Sequence, residues 1–270
     1  MTAPLLIGAV AYTPNVVLIW EGMREYFADT DAPMDFILFS NYGRQVDALL
    51  AGNIDIAWNT NLAWVRTVGQ TDGECRALAM RDTDTVFQTV MVARAGTGMT
   101  DLESLRGKTL ALGSQDSAQA AILPVHFLDE AGLGDDAVKL LRINSDVGKH
   151  GDTGRSELDA LRAVIDGEAD AAALGINTWE SIGREELMPG AFESFWVSPH
   201  YSHCNFTALP TLEPDRVEPW VEALFAMDWE NPRHREVLEM EGLRRWVPPE
   251  LPGYDSLFAA VEAQGLSMRW

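Results

Sequence analysis

Two hexapeptides of this chain, Gly52-Asn53-Ile54-Asp55-Ile56-Ala57 and Gly167-Glu168-Ala169-Asp170-Ala171-Ala172, align without a gap. Each follows an apolar stripe at helical spacing, Val46, Leu49 and Leu50 before the first and Leu158, Leu161 and Ile165 before the second. A glycine in that place suits a helix C-terminus, and the apolar run after it suits a strand. Upstream of each copy stands another strand signal, Leu5 to Val10 and Thr109 to Leu112. A polar loop and a helix follow each one, with Val16, Ile19, Met23 and Phe27 in the first half and Ala118, Ala121, Ile122 and Val125 in the second. Asn15 is the expected cap of the first of these helices. Strand–loop–helix and then helix–Gly–strand thus occur once in each half. This predicts an α/β protein of two Rossmann-like lobes with mixed, mostly parallel sheets. The expected division is 1–87 plus 201–270 for the first lobe and 88–200 for the second, with hinge crossings near 85–95 and 196–206.

A chain of 270 residues that is 47% hydrophobic can fill two such cores. Its 41 acidic residues against 20 basic ones repel nucleic acid and anionic membrane surfaces, so neither is expected as a partner. No segment is apolar enough to cross a bilayer. Cys75 and Cys204 form no metal motif, and no nucleotide fingerprint is present, so neither metal nor cofactor is expected. Met1-Thr2-Ala3-Pro4 runs straight into the first strand, without the basic and apolar regions of a secretory signal. The expectation is therefore a cytoplasmic protein, with the periplasm as the alternative if a leader has been removed.

Ligands of open α/β sheets bind beyond the carboxyl ends of strands, near helix N-termini. That rule gathers Tyr12, Asn15, Asn59, Thr60, Asn61, the run Ser114 to Gln119 (with Asp116 and Ser117), Arg155 to Glu157, Asn177 and Thr178 around one cleft. Three groupings carry candidate chemistry. In Lys149 to Glu157, Arg155 is placed to hold an anionic group, unless the segment is a solvated loop capped by Ser156. In Arg81-Asp82-Thr83-Asp84, Arg81 or Asp82 faces the ligand, unless the segment is a surface turn with a local ion pair. In His200 to Asn205, His203 or Cys204 faces the cleft, Cys204 as an activated thiolate if positive charge lies nearby. Strand alternation would allow only one of that pair to do so; a hinge with a buried cysteine is the alternative.

On these residues the chain resembles the phosphonate/phosphate-type solute-binding proteins of ABC importers, a branch of the type 2 periplasmic-binding fold. The first lobe carries the resemblance in Asn41 to Gly52 and Ile54 to Trp58. The second carries it in Asp101 to Thr109, Leu123-Pro124 and Gly167 to Ala173, and the tail in Val217 to Leu266. Family members that hold a phosphonate typically have Ser-Thr-Ser-Gly where this chain has Ser117-Ala118-Gln119-Ala120. They often have a histidine where Glu157 stands, and usually a tyrosine where Asn59 or Thr60 stands. A carboxylate beside a phosphonate would be repulsive, so the scaffold carries over and the phosphonate specificity does not. An amide- and carboxylate-lined cleft suits a neutral or zwitterionic solute with N–H donors.

The missing leader and the lost oxyanion motif together favour a cytoplasmic enzyme on a binding-protein scaffold. It would perform hydrolytic or lyase chemistry on a small carboxylate or heterocycle. Asp82, Asp116 and Glu157 are the candidate bases, Cys204 a candidate nucleophile and Arg155 the orienting cation. One similar enzyme is the desulfhydrase that acts on a thiohydantoin propionate in ergothioneine breakdown. The alternative is the substrate-binding component of an ABC importer, whose partner would be the permease.

Overall fold

A computed structural model describes residues 3–134, 136–145, 147–149, 155–184 and 190–269. The chain forms two compact units, one of residues 1–86, 201–255 and 267–270, the other of 87–200 and 256–266. The tail segment 256–266, expected with the first lobe, thus belongs to the second unit.

The first unit holds strands β1 (Leu5–Val10), β2 (Met34–Phe39), β3 (Ile56–Asn59) and β4 (Arg76–Arg81). Its helices are α1 (Val16–Ala28), α2 (Tyr42–Leu50) and α3 (Asn61–Gln70). The second unit holds β5 (Thr89–Arg94), β6 (Thr109–Leu112), β7 (Lys139–Arg142), β8 (Ala171–Gly175) and β9 (Phe192–Val197), with α4 (Leu123–Glu130), α5 (Arg155–Ile165) and α6 (Ile176–Arg184). The return segment supplies β10 (Asn205–Ala208), α7 (Pro214–Phe225), α8 (Pro232–Glu241) and β11 (Trp246–Val247), and α9 (Asp255–Ala263) follows.

The sheets are ordered β11-β4-β10-β3-β1-β2 and β7-β6-β8-β5-β9. In the first, β2, β1 and β3 run parallel and β10 is antiparallel to both its neighbours. In the second, β7, β6 and β8 run parallel and β5 takes the antiparallel place. The repeat seen in the sequence is therefore a repeat of topology, with a parallel trio flanked by an antiparallel strand in each sheet.

Local chemistry explains the matching pieces. Gly52 and Gly167 adopt left-handed backbone, at φ 71° and 78°, where a side chain would be strained. Around each, the next residue's N–H donates back into the helix, Asn53 to Ala48 O and Glu168 to Ala163 O, which ends it cleanly. Asn15, by contrast, makes no side-chain cap, because its own backbone is already helical. Thr60 does cap α3, accepting from the Ala63 N–H.

The first unit's core centres on Phe206 of β10. Its ring meets those of Trp20, Trp58, Trp220 and Trp246 at centroid distances of 4.6–6.2 Å. Fully buried aromatics of this size dominate the hydrophobic term of a core. The second unit's sheet is sandwiched by smaller aliphatics, Met91, Leu110, Leu112 and Ala173 on one side and Val90, Val92, Ala172 and Leu174 on the other. The chain end returns to the first unit, where Met268 rests on the bare backbone of Gly69 in α3 and Arg66 Nε donates to Ser267 O.

Candidate functional site

In each unit two adjacent parallel strands send their following segments to opposite sides of the sheet. In the first unit these are β1 and β3, in the second β6 and β8. Such switch points leave a crevice beyond the strand ends where ligands bind. The loops there are 11–15 and 59–61 in the first unit, and 113–117 and 175–178 in the second.

On the first unit's face, Asn59 Oδ1 accepts from Gln45 Nε2 at 2.9 Å, and its Nδ2 donates to Thr207 Oγ1 at 3.0 Å. The chain of bonds continues from Thr207 to Asn205 and from Asn205 Nδ2 to the Tyr254 hydroxyl. Asn59 is thereby locked as a structural amide. Thr60 is the α3 cap, and the next residue, the buried Asn61, has an unpartnered Nδ2. Sequence reasoning named Asn61 only as part of the loop; its orphaned donor is visible only in three dimensions. Tyr12 packs half-buried against the unit's core.

The second unit's face is built on one turn. The Ile122 N–H reaches back five residues to Ser117 O, a π-type turn over Ala118–Ile122 where a plain α-helix was expected. Ser117 caps it, its hydroxyl accepting from the Ala120 N–H at 3.2 Å. Gln119 Nε2 donates to Glu157 Oε1 at 3.1 Å, and Glu157 Oε2 accepts the Gly175 N–H at 2.9 Å. A Cβ at Gly175 would press on Gln119 Cγ at 3.0 Å and the Phe87 ring at 3.2 Å, so those side chains would have to give by a few tenths of an ångström. Asp116 Oδ2 accepts the Gly148 N–H at 2.6 Å. Gln119 and Glu157 are therefore in direct contact, and Asp116 and Ser117 stand in the segment that leads into Gln119.

Others of the expected residues do not join either face. Arg155 is exposed, 4.0 Å from Asp159 on the next turn of α5, and Asn177 is exposed on α6. The loop expected at Lys149 to Glu157 lies outside the described residues at positions 150–154. Asp82 serves its own turn, accepting from the Thr83 and Arg244 N–H groups.

Arg81 and Asp84 form a buried ion pair, with Arg81 Nε and Nη2 donating to the two carboxylate oxygens at 2.6 and 2.9 Å. Burial pushes the Asp84 pKa up, but the guanidinium and the His203 and Arg81 hydrogen bonds outweigh it and hold the group at about 2. The guanidinium also lies over Trp58 at 5.3 Å and donates to Glu241 O. His203 Nδ1 sits 3.3 Å from Asp84 Oδ1, and Cys204 Sγ 3.1 Å from that same Nδ1. The expected opposition of His203 and Cys204 fails because residues 202–204 precede β10 and are not strand. Asp84, His203 and Cys204 place three metal-ligand atoms within 4.8 Å. A cation among them would have to displace the Arg81 fork, so the group is an ion-pair centre that pins β4 to the return segment. Cys204 belongs to the aromatic core of the first unit.

A groove of about 870 Å³ lies between α1 and α8 in the first unit. It is lined by Glu21, Glu25, Tyr26, His234 and Val237, none of them at a strand-end loop.

Residues 8–254 match the family described as the phosphonate ABC transporter periplasmic substrate-binding protein. The chain belongs to this family. It is 24% identical over 245 residues to the probable ABC transporter phosphite-binding protein PhnD1 of Prochlorococcus marinus (strain MIT 9301), covering 87% of this chain and 80% of that one. The structure of PhnD1 in complex with methylphosphonate superposes with a TM-score of 0.74 at 21% identity, over 97% of this chain and 98% of that one. XAC2383 from Xanthomonas citri, solved bound to ATP, gives a TM-score of 0.75 at 16% identity over the same shares. These likenesses establish the two-lobed binding-protein fold.

Family membership overturns the expectation of a hydrolase, lyase or desulfhydrase, since the relatives are binding proteins. The geometry gives the physical reason. Asp82 caps a turn, Glu157 has both oxygens engaged and Cys204 is core, so these three serve the fold. The cytoplasmic expectation likewise finds no support, because the family is described as periplasmic. No helix among the described residues is long and apolar enough to cross a membrane.

Proposed function

We propose that this chain is the substrate-binding component of an ABC importer, capturing a small polar solute and delivering it to a permease in the periplasm. The observation that carries this is the family match over residues 8–254, which spans both units and every strand-end loop. The strand-end faces support it further, since their polar groups are held by the fold and not arranged around a reacting atom. PhnD1, a relative, was solved with methylphosphonate; that compound belongs in the first panel of candidate solutes.

The test is a thermal-shift and calorimetric screen of small phosphonates, sulfonates, amino acids and N-heterocycles, with each bound compound analysed afterwards. A solute that binds stoichiometrically, is recovered unchanged and is taken up only by cells carrying this chain together with its permease establishes the reading. Conversion of the bound compound would overturn it.

A further inference from the structure

We propose that the recognition face of the second unit takes a hydrogen-bond-donating group, an ammonium, guanidinium or amide N–H, and not an oxyanion; this rests on the importer reading above.

The direction of each hydrogen bond carries the inference. A carboxylate only accepts, so Glu157 Oε1 must face the amide NH2 of Gln119. The Gln119 amide therefore cannot turn over, and its Oε1 is fixed as an acceptor. That oxygen has no partner, in a side chain that is 0% exposed. Asp116, three residues earlier and 6% exposed, gives one oxygen to the Gly148 N–H and leaves Oδ1 unpartnered. Among the described residues no basic side chain pairs with Asp116. Buried acceptors without donors are costly, and a buried carboxylate most of all.

Several of the donors around this face are already engaged within the unit. The Ser114 N–H goes to Ser156 Oγ, Gln115 N–H to Asn144 Oδ1, Ser117 N–H to Ser114 O and Ala120 N–H to the Ser117 hydroxyl. The Gly175 N–H goes to Glu157. The buried side-chain atoms left over on this face are two acceptor oxygens, one of them on a carboxylate. A phosphonate dianion presents only acceptors and would add its charge to that of Asp116. A solute with N–H groups satisfies both orphaned oxygens.

The experiment is calorimetry of the full chain with a pair of probes differing by one ammonium group, methylphosphonate and aminomethylphosphonate. Guanidinoacetate, hydantoin and inorganic phosphite are run beside them. The expected result is aminomethylphosphonate binding about tenfold or more tighter than methylphosphonate, as for a hydrogen bond to a charged group. Guanidinoacetate or hydantoin should raise the melting temperature while phosphite does not. Asp116→Asn keeps an oxygen for Gly148 and puts an NH2 where Oδ1 stands, so it should reverse the preference within the pair. The unliganded melting temperature of that variant reports its folding, and if it does not fold the ratio in the native chain decides alone. Equal or tighter binding of methylphosphonate overturns the inference and leaves the importer reading standing. Oxyanion binding with no response to any N–H probe does the same. Binding of no probe of either kind counts against both.

Discussion

Asp55 in the first unit and Asp170 in the second make the same pair of hydrogen bonds. Each backbone N–H donates to the carbonyl of an early residue of the neighbouring parallel strand, Leu6 or Thr109. Each carboxylate accepts that same residue's N–H, and all four distances are 2.8 Å. An aspartate immediately ahead of its strand thus sets the register of β3 on β1 and of β8 on β6. We expect Asp55→Ala and Asp170→Ala each to lower stability by about 1–2 kcal/mol. The double variant should be close to additive in urea titrations, because the two sites share no partner.

The Arg81–Asp84 pair makes a sharper prediction. Asp84→Asn leaves a buried guanidinium facing a neutral amide, and breaking such a pair costs about 3–5 kcal/mol. Melting at neutral pH measures it.

The same carboxylate gives a pH signature. Its folded pKa of about 2 lies below the ordinary 3.8. A depressed carboxylate pKa contributes stability that is fully present above the unfolded value and lost as pH falls through the folded one. About 2 kcal/mol of stability should therefore disappear between about pH 4 and pH 2. Asp84→Asn should lack that part of the acid slope, which chemical denaturation at a series of pH values will reveal.

Phe206→Ala empties the centre of the tryptophan cluster. A loss of about 3–5 kcal/mol is expected from such a truncation. Tryptophan fluorescence should change with it, since four indoles lose a common neighbour.

Glu157→Gln separates charge from shape at the recognition face. The new side chain can still accept from Gly175, but its NH2 then faces Gln119, whose amide must turn over and present Nε2 in place of Oε1. Solutes bearing N–H donors should bind about tenfold more weakly, with little change in the unliganded melting temperature. Titration of the variant with the best solute of the native chain checks this.

The sequence pattern showed what is local. Glycine at a helix end, apolar spacing and alternation placed β1, β6, α1 and α2, and the hexapeptide repeat revealed two units before any coordinates. Ser117 and Thr60 were legible as polar loop residues at helix starts, and both turn out to be caps. Hydrogen-bond direction was not legible. Gln119 and Glu157 stand 38 positions apart, and only their contact shows which end of the amide is left over. Nor could sequence spacing tell Arg81's fork on Asp84 from an arginine waiting for a ligand, since both read as a cation beside acids. The inference of catalysis leaned on such readings, counting Asp82 and Glu157 as free although the fold ties both to backbone N–H groups.

Met268 lying on Gly69 bears on how this protein should be handled. The last described residues act as a latch on α3, the helix whose first turn carries Thr60 and Asn61. An affinity tag or surface tether joined to the carboxyl end would pull on that latch and, through it, on the loop of Thr60 and Asn61. Sensors or immobilised assays built from this chain should be attached at the amino end, where Leu5 is already clamped into the sheet by its bond to Pro33.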